Sequence, residues 1–268
     1  MLKKVLALSL AAMLILSLAG CGIPDGNKPS VTAPSTKPTV PPNPYKVEDF
    51  SFNGKYMVCN TIQSHAGIDV SSHQGQIDWQ QVKDHGIEFV FVRLGYRGYD
   101  YGNIRLDEYA AYNLTQAKAA GLKVGAYFFS QAINEEEAVE EAEFALSVLD
   151  GIELDLPLAF DWEKMEYADA RTDKVKKSEL MACIKAFCQT VEDAGYRAMI
   201  YFNPELAQTH LELIELVEYP FWLASYSAKT GMDFPYRMEF WQYRDDGTVP
   251  GIEGPVDMDI WLPVTQPA

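Results

Sequence analysis

Residues 156 to 165 read LPLAFDWEKM, an apolar run that ends in Asp161, Trp162 and Glu163. In an extended strand, residues i and i+2 share a face, so Asp161 and Glu163 point one way and Trp162 the other. Two carboxylates held together where water is scarce repel each other, and that repulsion with burial raises one pKa. An acid kept protonated beside one that stays ionised is equipment for acid–base chemistry on a glycosidic bond. The bland account is a strand end whose acids meet solvent or cap the next helix.

Two further acids sit among apolar neighbours. Asp69 lies between Ile68 and Val70 in GIDVSSHQG, and Asp257 between Val256 and Met258 in PVDMDIW. A carboxylate in such a setting is costly to bury unless it is paired or used. Each alone has a structural explanation; four in the strands of one fold do not dismiss so easily. A metal cage is the competing use. Oxygen-only sites favour denser acid spacing or a dedicated loop, and His65, His73, His85 and His210 lack paired ligand spacing. No metal and no cofactor are expected. Aromatic residues at strand ends and in loops, Tyr96, Tyr99, Tyr101, Tyr127, Tyr201, Tyr226, Trp241 and Tyr243, are candidates to stack on sugar faces, although some of them must be core.

The elements that must position these residues alternate. AGIDVSS, FVFVRLGY, KVGAYFFSQA, LPLAFDWE and RAMIYFN read as strands, each followed by a stretch of helical spacing. Asn134 with Glu137, and Asn203 with Pro204, mark helix starts. After the fifth unit the helices stop, and PFWLASYS, MEFWQYR and VDMDIWL follow as bare strands. Strand–helix alternation implies parallel strands with right-handed crossovers, and eight strands close into a barrel that side chains can fill. The expected class is therefore α/β, an incomplete TIM-like barrel of five strand–helix units followed by three strands. Active sites of such barrels lie at the C-terminal ends of the strands, where Asp161 and Glu163 fall. The alternative, an open doubly wound sheet, lacks a glycine-rich phosphate loop after the first strand.

The 268 residues are 48% apolar, enough for a sizeable core. A formal net charge of −16 argues against nucleic acid as a partner. At the N-terminus, Lys3 and Lys4 precede an apolar run of fifteen residues, broken only by two serines, that leads into LAGC, Leu18 to Cys21. The run is short for a permanent membrane span and fits a secretory signal; LAGC resembles a bacterial lipobox, which would put lipid on Cys21. Removing residues 1–20 takes away two lysines, so −16 becomes −18. Seven of the next 28 residues are proline, which reads as an extended tether. The expected organisation is a signal peptide at 1–20, a lipid-anchored linker at 21–60 and a folded domain at 61–268, an extracytoplasmic monomer tethered to the membrane. Cys183 and Cys188 would stand roughly 7.5 Å apart along one helix, beyond easy disulfide reach, so free buried thiols are expected.

The segments GIDVSSHQGQIDW, VRLGYRG, AKAAGLKVGAYFFSQA, LPLAFDWE, FWLASY, FWQY and GTVPGIEGPVDMD together resemble, in order and spacing, family 25 glycoside hydrolases, lysozymes of the N-acetylmuramidase type. The resemblance runs from about Gly67 to Leu262. It implies the same barrel of five strand–helix units plus three strands. It also implies that Glu163 is the general acid and that Asp161 orients the 2-acetamido group of the substrate. Asp69 and Asp257 match the other acidic site positions. The bond implied is the β-1,4 link from N-acetylmuramic acid to N-acetylglucosamine in peptidoglycan, with the nucleophile an acetamide, a carboxylate or a water. Wall-binding repeats of the kind many relatives carry are not seen, which favours wall remodelling over lysis of other cells. Three rivals remain in view: a sugar-binding barrel without turnover, a hydrolase of chitin-like glycans, and a solute-binding lipoprotein.

Overall fold

The structure is a computed structural model that describes residues 39–165, 169–227 and 233–263. The expected signal peptide and Cys21 lie outside the described residues. A short hairpin comes first, β1 (Phe50–Phe52) and β2 (Met57–Cys59). The alternating units follow: β3 (His65–Val70), α1 (Trp79–Asp84), β4 (Phe89–Arg97) with a side strand β5 (Ile104–Leu106), α2 (Ala110–Ala119), β6 (Lys123–Ser130), α3 (Glu135–Leu149), β7 (Leu158–Trp162), α4 (Lys177–Asp193), β8 (Ala198–Phe202) and α5 (Pro204–Thr209). Three strands without helices end the series, β9 (Phe221–Ala224), β10 (Phe240–Gly247) and β11 (Val256–Trp261).

Local chemistry explains the boundaries. Asn134 caps α3 by accepting from the Glu137 amide at 2.9 Å, and Glu135, Glu136 and Glu137 fill the first turn, where the helix dipole favours acids. Ala138, Ala142, Ala145 and Leu149 make the buried stripe of that helix. Every residue of β7 is buried, as expected for a strand covered on both faces.

The order β3-β11-β10-β9-β8-β7-β6-β4 closes on itself through the β3–β4 pairing, giving the eight-stranded barrel. The alternating strands run parallel, as expected, and the last strand, β11, runs antiparallel to both β10 and β3. The link from Gly247 to Val256 contains no helix, and a parallel return needs a crossover of a dozen residues or more. The reversal matters for the chemistry, because it carries the start of β11, and Asp257 with it, to the C-terminal end of β3.

The interior fills in layers. Phe89, Phe240 and Trp261 occupy the lowest one, with the Phe240 and Trp261 rings stacked at 5.9 Å. Phe91 stacks on Trp222 at 4.5 Å in the next. These rings fit because Gly67 and Gly125 face them; a Cβ there would stand 2.2 Å and 2.3 Å from the Phe89 and Phe91 rings. Most polar residues of the cavity stand above this aromatic plug, while Asp259 bonds to the Trp222 indole within it.

Residues before 61 also pack onto the barrel. The backbone of Asn43 donates to Pro235 O at 2.9 Å, and Arg237 donates to Pro41 O at 2.8 Å. Phe50 packs edge-on to Trp241 at 5.3 Å and Phe52 to Tyr243 at 6.1 Å. Tyr56, Met57 and Cys59 are buried. The segment expected to be tether from 39 onward thus covers the outer face of β10, a strand that has no helix of its own. Proline richness hid this, since the apolar residues responsible are few and follow the prolines.

Candidate active site

Register assembles the acids. On β7, Asp161 pairs with Tyr201 of β8 on one side and Phe129 of β6 on the other. On β3, Asp69 lies opposite Asp257 of β11. Asp69, Asp161, Glu163 and Asp257 line one cavity of about 210 Å³ at the C-terminal end of the barrel, with Tyr127, Tyr201 and Tyr226 in its walls.

A buried amide organises one side. Gln242 Nε2 donates to Asp69 Oδ2 at 2.7 Å, while Gln242 Oε1 accepts from the Tyr201 and Tyr226 hydroxyls, each at 3.0 Å. Two hydroxyl donors on the amide oxygen leave only its NH₂ to face Asp69. One layer deeper, Asp259 is fully buried and accepts from Trp222 Nε1 at 2.8 Å. Arg93 stands in the cavity wall as a cation held from behind, its Nε donating to buried Asp107 at 2.9 Å and its Nη2 to Ser72 Oγ at 3.2 Å.

The electrostatics follow from burial. Asp161 is pushed well above the usual carboxylate range by burial, then by the charges of Glu163 and Asp69, with Arg93 opposing. Burial likewise raises Glu163. Asp69 is pushed well up by burial and then by Asp259. Burial, with Asp69 beside it, takes Asp257 to about 8, and burial takes Asp259 to about 8. A pocket of this kind keeps protonated carboxyls at neutral pH, and so holds a proton donor. Among the described residues, Asp161 Oδ1 is buried with no hydrogen-bond partner. An acceptor left in that state is expensive, and a ligand that brings an N–H or O–H satisfies it.

Five of the eight expected sugar-facing aromatics, Tyr96, Tyr99, Tyr101, Trp241 and Tyr243, do not line the cavity. Trp241 and Tyr243 flank Gln242 on β10 and therefore point away from the interior, where they pack beneath Phe50 and Phe52. The indole of Trp241 donates to Ser225 O at 2.9 Å, and the Tyr243 hydroxyl accepts from the Met57 amide at 3.4 Å. Tyr96 does not line the cavity; its ring lies 5.1 Å from the Arg93 guanidinium. The residues overlooked are Gln242, Arg93, Trp222 and Asp259. Strand period alone points to two of them: Gln242 is the inward residue between two outward aromatics, and Asp259 is two positions after Asp257.

The comparisons with known proteins agree with this architecture. The description Glycosyl hydrolases family 25 matches residues 68–252. The chain is 31% identical to the uncharacterized protein YegX of Escherichia coli strain K12 over 202 residues, 73% of this chain and 68% of that one. It is 30% identical to lysozyme M1 of Streptomyces globisporus over 203 residues, 71% and 65% of the two chains. The autolysin LytC from Streptococcus pneumoniae, solved with a synthetic peptidoglycan ligand, superposes with a TM-score of 0.68 at 26% identity, over 80% of this chain and 52% of LytC. The chain thus spans about half the length of LytC. It belongs to glycosyl hydrolase family 25, and it is a glycosidase built on the incomplete TIM-like barrel.

Proposed function

We propose that the chain is an N-acetylmuramidase that cuts the β-1,4 bond from N-acetylmuramic acid to N-acetylglucosamine in peptidoglycan. The observation that carries this reading is the end of β7: Glu163 with a raised pKa beside Asp161, whose Oδ1 is buried and has no hydrogen-bond partner among the described residues. Glu163 gives its proton to the glycosidic oxygen as the C1–O bond breaks. Asp161 Oδ1 accepts the N–H of the 2-acetamido group and turns the amide oxygen toward C1, where it forms the new bond. Water then opens that intermediate at C1, and the Glu163 carboxylate takes up its proton. Asp69, held by Gln242, and Asp257 complete the acidic wall. The lysozyme and autolysin among the relatives support peptidoglycan as the substrate. The partner in this reading is the glycan strand.

Hydrolysis of chitin-like glycans is the second reading, because an acetamide held by Asp161 occurs there too. Turnover of peptidoglycan and of chitin oligomers, compared at equal enzyme, separates the two. Preference for chitin would sink the muramidase assignment.

The address is part of the proposal. LAGC at Leu18 to Cys21 and the proline-rich stretch after it support a lipoprotein held on the extracytoplasmic side of the membrane, working as a monomer on the cell's own wall. Fractionation of cells tests it: protein found free in the medium, with no lipid on Cys21, would rule it out.

A further inference from the structure

Glu163 stands just past the last residue of β7, beyond the ladder that pairs Ser130 with Trp162. Something else must hold it. Gln131, fully buried at the end of β6, donates from Nε2 to Glu163 O at 2.8 Å and to Ser130 O at 3.0 Å. Its Oε1 accepts from the Thr172 hydroxyl at 3.2 Å. Its backbone carbonyl accepts from Arg171 Nη1 at 2.6 Å. Arg171 in turn grips Glu137 in the first turn of α3 with both terminal nitrogens, at 2.8 Å and 2.6 Å. Its amide donates to Tyr99 O at 3.2 Å, and its guanidinium covers Gly102, where a Cβ would stand 2.7 Å away.

We propose that Gln131 and Arg171 are positioning residues: a brace that fixes the backbone of Glu163 and ties it to α3 and to the loop between β4 and β5. The proposal rests on the reading of Glu163 as the proton donor. Neither brace residue lines the cavity, so neither touches substrate. Their effect is geometric. Charge-assisted pairs that are largely shielded from water are the strong, directional ones, and the Arg171 and Glu137 side chains are only 13% and 21% exposed. The brace joins three segments that the barrel ladder does not, and the acid sits at their junction. Loosening it lets Glu163 move outward and gain water, which costs rate and lowers its raised pKa. Glu163 faces Asp161 on its own strand, Asp69 and Asp257 from β3 and β11, and Tyr201 and Tyr226 across the cavity, with Arg93 in the wall; the brace variants leave all of these in place.

The test uses the full chain on purified peptidoglycan, wild type beside Arg171→Met and Arg171→Lys, with kcat, KM, the pH profile and the melting temperature measured together. The expected result for Arg171→Met is a kcat lower by about tenfold or more with KM within about twofold, since small displacements of a catalytic group are that costly. The alkaline limb of kcat/KM moves to lower pH, and Arg171→Lys, which keeps a donor toward Gln131 O, recovers most of the rate. If Arg171→Met fails to fold, Thr172→Val removes only the hydroxyl that sets the Gln131 amide and is expected to shift the same limb. A variant with wild-type kcat and pH limb and only a lower melting temperature overturns the proposal. A wild type that releases no reducing ends overturns the muramidase reading and takes the brace with it.

Discussion

Asp257 and Asp69 lie directly opposite each other across the antiparallel pair of β11 and β3. Like charges in facing positions destabilise a sheet, and here both carboxyls point into a barrel. The pair is tolerable only because burial and mutual repulsion keep protons on it, and the same condition extends to Asp259 one layer down.

Stability should therefore fall with rising pH. Asp257 and Asp259 sit near 8 in the folded chain against about 3.9 when unfolded. Between those values the native state binds more protons than the unfolded one, so this contribution is full below about 4 and is lost as pH rises through about 8. Asp259→Asn keeps an oxygen for Trp222 Nε1 and removes the titration. Urea unfolding at pH 5 and pH 8 is expected to show the variant losing about 3–4 kcal/mol less than wild type across that interval. An equal loss in both proteins would contradict the assignment of a raised pKa to Asp259.

Gln242 and its neighbour Tyr243 should behave oppositely. Gln242→Leu leaves Asp69 without its donor and two tyrosine hydroxyls without their acceptor, a cost of about 1–3 kcal/mol in a buried site. The expected fall in kcat/KM is about 10- to 100-fold. Tyr243→Phe loses only the contact with the Met57 amide and should leave kcat/KM within about twofold while lowering stability by about 1 kcal/mol. Steady-state kinetics on soluble peptidoglycan fragments reads both.

Removing residues 1–60 should weaken the fold. Trp241 and Tyr243 would lose Phe50 and Phe52 from above, and the burial of Tyr56, Met57 and Cys59 would go with them. At about 1.5–3 kcal/mol for each large apolar side chain, the expected loss is several kcal/mol. Thermal melting of chains beginning at residue 39 and at residue 61 makes the comparison. Equal melting temperatures would mean that the hairpin is an ornament.

These two sites show where the sequence was readable and where it was not. The eight strands and the pair Asp161 and Glu163 could be read because period and residue type agreed over long stretches. Trp241 and Tyr243 are conspicuous by type, yet in a strand they flank the working residue, and a lone glutamine announces nothing by type. The hairpin was hidden by the prolines ahead of it, since its packing partners lie nearly two hundred residues away. The convergence of Asp257 depended on the direction of β11, which strand–helix alternation does not give; the helix-free link from Gly247 to Val256 was the available signal.

In the proposed reaction Glu163 protonates the oxygen of the bond between N-acetylmuramic acid and N-acetylglucosamine. Digestion of purified peptidoglycan by the full chain, wild type beside Glu163→Gln, with the new reducing ends identified, tests it most directly. Muramic-acid ends from the wild type, and a rate lower by about 10²- to 10⁴-fold in the variant, are the expected result. Glucosamine ends, or undiminished release by Glu163→Gln, would contradict it.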